Sequence, residues 1–140
     1  MISLRLVLDT NVVVSAVLKP DGLQRTVLLL ALTRPARLYM SPPILAEYRD
    51  VLSRPELRIR KSLRQQFLQL ISRRSYNVRS APKLQVTSDP DDNMFLECAD
   101  SARADYLVTG DLKHFPIYWN GTKIVSAREF ITLVAPHLAP

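Results

Sequence analysis

The feature that most constrains this chain is Leu6-Val7-Leu8-Asp9, a short apolar run ended by a carboxylate. A run this short and this apolar reads as a strand buried on both faces. Asp9 then stands at the carboxyl end of that strand, the edge where open α/β sheets place their ligands. Thr10 and Asn11 are both residue types that cap a helix, and the spacing predicts one from Val12 to Leu18. Taken alone, Asp9 is explained as well by a strand-to-helix turn as by chemistry.

The rest of the chain repeats the alternation. A helix is predicted from Gly22 to Thr33, stopped by Arg34-Pro35, and a strand over Arg37-Leu38-Tyr39-Met40. Ser41 is the expected cap of a third helix, with Pro42 at its first position, where a missing N–H does no harm. That helix runs to Leu52 and buries Ile44, Leu45, Tyr48 and Leu52. A fourth, from Ser62 to Arg74, has Leu63, Phe67, Leu68, Leu70 and Ile71 as its apolar stripe. The stretch from Tyr76 to Ser88 reads as irregular, with a short strand near Leu84 to Val86. Asp89-Pro90 opens a fifth helix to Ala102, with Phe95, Leu96, Cys98, Ala99 and Ala102 facing the core. Strands follow over Asp105 to Thr109 and Lys123 to Val125, and Ser126 caps a last helix to Val134. Strands that alternate with helices imply a mainly parallel sheet with helices on both faces.

At 140 residues the chain is expected to be one domain, residues 1–140, large enough for a real core. No apolar run approaches the roughly 20 residues of a membrane span, and the N-terminus lacks a signal-peptide pattern. The single cysteine, Cys98, cannot form an internal disulfide and falls in an apolar helical pattern as buried filler. Together these point to the cytoplasm, with no membrane partner.

The net charge of +6 is unevenly distributed. Between Arg54 and Lys83 there are nine basic residues and one acidic, whereas between Asp89 and Asp111 seven acidic residues stand against Arg103. The pairing suits a protein that attracts a polyanion and holds cations at one point.

Four acidic positions are placed to act together. Asp9 ends the first strand. Glu47 borders the apolar stripe of the third helix, with no basic residue three or four positions away to pair with. Asp91 and Asp92 open the fifth helix, and periodicity does not choose between them. Asp111 lies just past the strand ending at Thr109, so it reaches Asp9's edge if the two strands are neighbours. Gathered carboxylates repel one another and call for compensation. An all-oxygen set without clustered histidine or cysteine selects Mg²⁺ or Mn²⁺ over zinc, and the chemistry such a site serves is phosphodiester hydrolysis.

Leu8-Asp9-Thr10-Asn11 with Ser15, Glu47, Asp89-Pro90-Asp91-Asp92-Asn93 with Ala99, and Val108-Thr109-Gly110-Asp111 together resemble the PIN domain. The order and spacing are similar to those of small prokaryotic members related to VapC-type toxins. The resemblance implies a three-layer α/β/α sandwich and a Mg²⁺- or Mn²⁺-dependent endoribonuclease, the toxin of a toxin–antitoxin pair. It implies Asp9, Glu47, Asp92 and Asp111 as the catalytic, metal-binding acids, with Asn11, Asn93 and Thr109 in support. It favours Asp92 over Asp91 because the family's ligand acid precedes a small apolar residue by seven positions, here Ala99. The implied partners are RNA, a cognate antitoxin and, as an option, a second copy in a homodimer.

Other readings compete with this one. A metal-dependent phosphatase or phospho-accepting receiver also places an Asp after its first strand. Asp9-Thr10-Asn11, however, has no second Asp two positions on, and no acidic pair precedes Asp9. A non-catalytic RNA- or partner-binding module is opposed by the intact acid set. Arg58, Arg60, Lys61 and Arg64 are the expected contacts to RNA phosphates. His114 and His137 have no partner at ligand spacing and are expected on the surface. Tyr118 and Trp119 fall in a late loop, where packing is expected over base stacking.

Overall fold

The computed structural model describes residues 4–79 and 89–139. β1 (Leu4–Leu8) is followed by α1 (Thr10–Leu18), α2 (Leu23–Ala31), β2 (Ala36–Met40) and α3 (Pro42–Leu52). A 3-10 turn (Pro55–Leu57) leads to α4 (Lys61–Arg74) and β3 (Tyr76–Asn77). Then come α5 (Pro90–Ala102), β4 (Tyr106–Val108), a 3-10 turn (Leu112–His114), β5 (Tyr118–Trp119), β6 (Thr122–Val125) and α6 (Ala127–Val134). The short strand expected near Leu84 to Val86 lies outside the described residues.

The strands form one sheet in the order β3-β2-β1-β4-β6-β5. All neighbours are parallel except β5 and β6, which form an antiparallel hairpin. The alternation of buried runs and amphipathic helices gives the mainly parallel α/β architecture expected of it. α5 packs on β1, β2 and β4 and touches α3, while α2 and α6 touch each other and lie on β2 and β4. The core holds Leu6, Val7 and Leu8 at zero exposure, with Leu38, Leu107 and Val125 on neighbouring strands. Among the described residues, no helix is long and apolar enough to cross a membrane.

Helix ends are set by local chemistry. Asp89 accepts from the Asp91 N–H at 2.9 Å, and Ser126 Oγ accepts from the Glu129 N–H at 3.1 Å. Ser41 stands at the cap position of α3 but makes no side-chain cap bond, leaving Pro42 to set the start. At the other end of α1, the Arg25 guanidinium donates to the Ala16 and Val17 carbonyls at 2.7 and 3.1 Å. It also lies 5.0 Å above the Phe67 ring, tying α1, α2 and α4 together. α4 is the most peripheral helix: of its expected stripe only Ile71 is fully buried, and the others are half-buried.

What positions the site is the reversal of strand order at β1. From β1 the chain builds outward to β2 and β3, then returns to the other side of β1 for β4 and β6. Leu8 pairs with Val108, so β1 and β4 end level with each other. The crevice at such a switch point, beyond the carboxyl ends of the strands, is where α/β sheets bind ligands.

Candidate active site

Asp9 and Thr109 are the first residues past β1 and β4. The Asp9 N–H donates to the Val108 carbonyl at 2.9 Å, which brings the two strand ends together. Asp9, not Thr10 or Asn11, is the cap of α1; its Oδ1 accepts from the Thr10 N–H at 2.7 Å. The helix starts two residues earlier than its apolar spacing predicts because the carboxylate satisfies the first turn directly. Asp9 Oδ2 accepts from Thr109 Oγ1 at 2.7 Å, and Thr109 Oγ1 in turn accepts from the Asp111 N–H at 3.0 Å. Thr109 is wholly buried. One hydroxyl therefore orients one acid and the backbone of another.

Thr10, expected only as a cap, has a second role. Its hydroxyl donates to Glu47 Oε2 at 2.6 Å, linking α3 to the strand end. The next residue, Tyr48, is buried and donates its hydroxyl to the Leu8 carbonyl, so α3 is tied to the end of β1 as well as to the start of α1. Asn11 Oδ1 accepts from the Gly110 N–H at 3.0 Å. Asn93 is buried in the first turn of α5.

The doubled acid divides between two neighbours. Asp91 is exposed and its charge acts on Glu47. Asp92 has only 16% of its side chain exposed, and its carboxyl feels Asp89, Asp9 and Asp111. The structure thus brings Asp9, Asp92 and Asp111 into mutual electrostatic reach, while Glu47, held by Thr10, feels Asp91 and Asp9.

His114 is on the surface, as expected, but it has partners that the sequence reading did not assign. Its Nδ1 lies 2.9 Å from Asp111 Oδ2 and 3.8 Å from Asp92 Oδ2. The signal was present: His114 follows Asp111 by three residues, and a 3-10 turn eclipses positions three apart. Tyr118 and Trp119 are a strand rather than a loop. Tyr118 pairs with Lys123, which is level with the start of β4, so both aromatics lie toward the edge opposite the site.

The carboxyls carry the mark of crowding. Burial is the largest influence raising Asp9 above the ordinary carboxylate range, with Asp111 adding to it and the Thr109 and Thr10 hydrogen bonds opposing. Burial also raises Glu47, with Asp91 and Asp9 adding and the Thr10 hydroxyl and Arg54 opposing. Asp92 is pushed to about 6, first by burial and then by Asp89 and Asp9. Cys98 is buried and its thiol is pushed up to about 12, so it is packing rather than chemistry.

A raised folded-state pKa costs stability as pH rises. The unfolded carboxyl releases its proton near 3.8 and the folded Asp92 near 6, so between these values the folded state binds more protons. Stability conferred below pH 4 is therefore lost by pH 6 to 7. Asp92→Asn removes this contribution, and in EDTA the variant is expected to gain about 1 kcal/mol over the parent at neutral pH, after solvent screening. Denaturant midpoints of both proteins from pH 4 to 7 check this; parallel curves would contradict it.

Among the described residues, no group of three or more His, Cys, Asp or Glu side chains is arranged to hold a metal ion as it stands. The donor chemistry nonetheless fits a hard cation: every acid presents oxygen, burial and neighbouring carboxylates disfavour the bare charge on Asp9, Glu47 and Asp92, and the His114 ring nitrogen faces Asp92 and Asp111.

Fold and site define a mainly parallel α/β protein with an acidic cluster at its switch point. The chain belongs to the PIN domain family, whose model matches residues 5–113. PIN domains are generally nucleases and typically use divalent metals. The uncharacterized protein MJ1680 of Methanocaldococcus jannaschii is 31% identical over 113 residues, covering 79% of this chain and 72% of that protein. In fold, the chain is similar to a chain of VapBC2 from Rickettsia felis, solved bound to a DNA fragment from its promoter. There the TM-score is 0.59 at 19% identity, over 88% of this chain and 98% of the other. It is similar also to a chain of DNA-bound VapBC from Salmonella typhimurium, with a TM-score of 0.60 at 17% identity, over 89% and 98%.

Proposed function

We propose that residues 1–140 form a single nuclease domain that hydrolyses RNA phosphodiesters with Mg²⁺ or Mn²⁺, and that it is the toxin of a toxin–antitoxin pair. What supports the chemistry is the convergence of Asp9, Asp92 and Asp111 at the switch point, where burial and neighbouring carboxylates raise the pKa of Asp9 and Asp92. Asp9, Glu47, Asp92 and Asp111 would hold the ion, directly or through water. When bound, such an ion supplies Lewis-acid stabilisation of charge at the phosphodiester. Thr109 fixes the Asp9 carboxylate, Thr10 fixes Glu47, and the Asn11–Gly110 bond keeps the two strand ends in register. Asn93 supports the first turn of α5 behind Asp92. Mn²⁺ titration followed by water-proton relaxation tests the site: saturable binding that Asp9→Asn weakens at least tenfold is expected, and equal binding by both proteins would contradict it.

The toxin role draws on the fold shared with chains from VapBC complexes. It implies a cognate antitoxin in the cytoplasm. Expression should arrest growth, and co-expression of a small adjacent open reading frame should relieve it.

RNA is expected to approach over the start of α4. Arg58 follows the 3-10 turn with a left-handed backbone, φ 53°; Arg60 is the cap residue of α4 and Lys61 its first residue. Arg58, Arg60 and Lys61 are exposed and Arg64 is half-buried. Cations at a helix N-terminus oppose the macrodipole, and α4 has no acid in its first turn to offset them. Their place is thus unfavourable for stability and suited to an incoming polyanion. Each phosphate contact adds roughly 0.7 to the salt slope for single strands. Replacing Arg58, Arg60, Lys61 and Arg64 with Gln should lower affinity for all sequences and flatten that slope by about 2 to 3. An unchanged slope would move the RNA path elsewhere.

A further inference from the structure

A cavity of about 420 Å³ lies between α1, α2 and the start of α6, and both partners of the Asn11–Gly110 bond line it. Thr109, whose hydroxyl holds Asp9, also forms part of its wall. Its volume is in the range of small-ligand sites, roughly 300–1,000 Å³. Several polar groups around it make no bond to another described residue. Asn11 spends its Oδ1 on Gly110, and its amide hydrogens meet no acceptor among the described residues. Gln24 and Ser15 make no side-chain hydrogen bond to another described residue. Arg128 is exposed at the rim and forms no ion pair with another described residue. Val12, Leu23 and Ala127 give the cavity an apolar floor.

We propose that this cavity binds the nucleotide adjoining the scissile phosphate, with Arg128 on a phosphate and Gln24 reading the edge of the base. Three features carry the assignment. A shared wall, Thr109, puts the occupant beside the carboxylates. The combination of a cation at the rim, amide donors inside and an apolar floor matches the phosphate, edge and face of a nucleotide. The acids themselves repel a phosphate, so a neighbouring cationic subsite is what seats one beside them. Ser126, Ala127 and Arg128 lie beyond the segment matched by the PIN model. The inference rests on the ribonuclease reading for its place in the reaction, but its binding test does not.

That test uses the four nucleoside 5′-monophosphates, one at a time, added to the full chain in EDTA and followed by NMR. The side-chain amide resonances of Asn11 and Gln24 should shift saturably, and more for one base than for the others. Arg128→Gln should weaken binding about tenfold, as expected for losing a charged hydrogen-bond partner. Gln24→Ala should level the base preference. In cleavage assays Arg128→Gln should raise KM with kcat retained, and Gln24→Ala should relax sequence preference at one fixed position beside the cut. Shifts confined to the α4 cations, or binding indifferent to both substitutions, would overturn the proposal. Absence of cleavage by the parent protein would sink the ribonuclease reading while the binding experiment still decides the pocket.

Discussion

Asp9→Asn should abolish metal-dependent RNA cleavage, by roughly 10²–10³-fold or more, without loss of the fold. Asp9 is the one acid reached from every side of the site: Thr109 and Thr10 hydrogen-bond it, and Glu47 and Asp92 both feel its charge. The substitution removes the negative charge and leaves the shape. Asn is as good a helix cap as Asp, so the bond from the Thr10 N–H survives. The Thr109 hydroxyl can turn to accept from the new amide. A buried carboxylate with a raised pKa is costly at neutral pH, so the metal-free variant should be no less stable than the parent. Circular dichroism and a denaturant midpoint in EDTA, set beside initial cleavage rates in Mg²⁺, separate the two effects. A variant that cleaves at the parental rate would remove Asp9 from the chemistry; one that unfolds would make it a structural residue.

The second large effect divides the doubled acid. Asp92→Asn should be as inactive as Asp9→Asn, whereas Asp91→Asn should retain most of the activity. Consecutive helical residues project about 100° apart, so one site does not use both equally. Asp92 is mostly buried, lies near His114 and is coupled to Asp9 and Asp111. Asp91 is exposed and looks toward Glu47. Removing Asp91 loses a favourable charge at the α5 N-terminus, worth about 0.3–1 kcal/mol, and relieves Glu47 of a repulsive neighbour, so the net cost in stability is small. Side-by-side metal titration and cleavage on the two variants check this. A dead Asp91→Asn with an active Asp92→Asn would shift the ligand assignment by one residue and reorient α5 relative to β1.

Much of this arrangement was legible in the sequence because local chemistry wrote it there. Pro42 and Pro90 mark helix starts through their missing N–H groups, and both α3 and α5 begin on them. Buried parallel strands read as short apolar runs, and Leu6 to Leu8 is one. Two-residue strands carry no such pattern: β3 and β5 are edge strands whose existence depends on a neighbour, and Tyr118-Trp119 therefore reads as loop. That Asp9 and Asp111 share an edge depended on β1 and β4 being neighbours, a matter of long-range strand order that no local spacing records. The Thr10–Glu47 and Asp111–His114 contacts illustrate the same difference. The first joins residues 37 apart and needed the fold; the second is three residues apart, a spacing legible in the sequence that pairs the side chains once the 3-10 turn is known.

Whether the acids at the switch point cleave RNA through a bound divalent ion is decided by incubating the purified chain with a labelled single-stranded RNA in Mg²⁺, in Mn²⁺ and in excess EDTA. Cleavage is expected with either metal, none in EDTA, and recovery when the metal is restored. Cleavage undiminished in EDTA would contradict that mechanism.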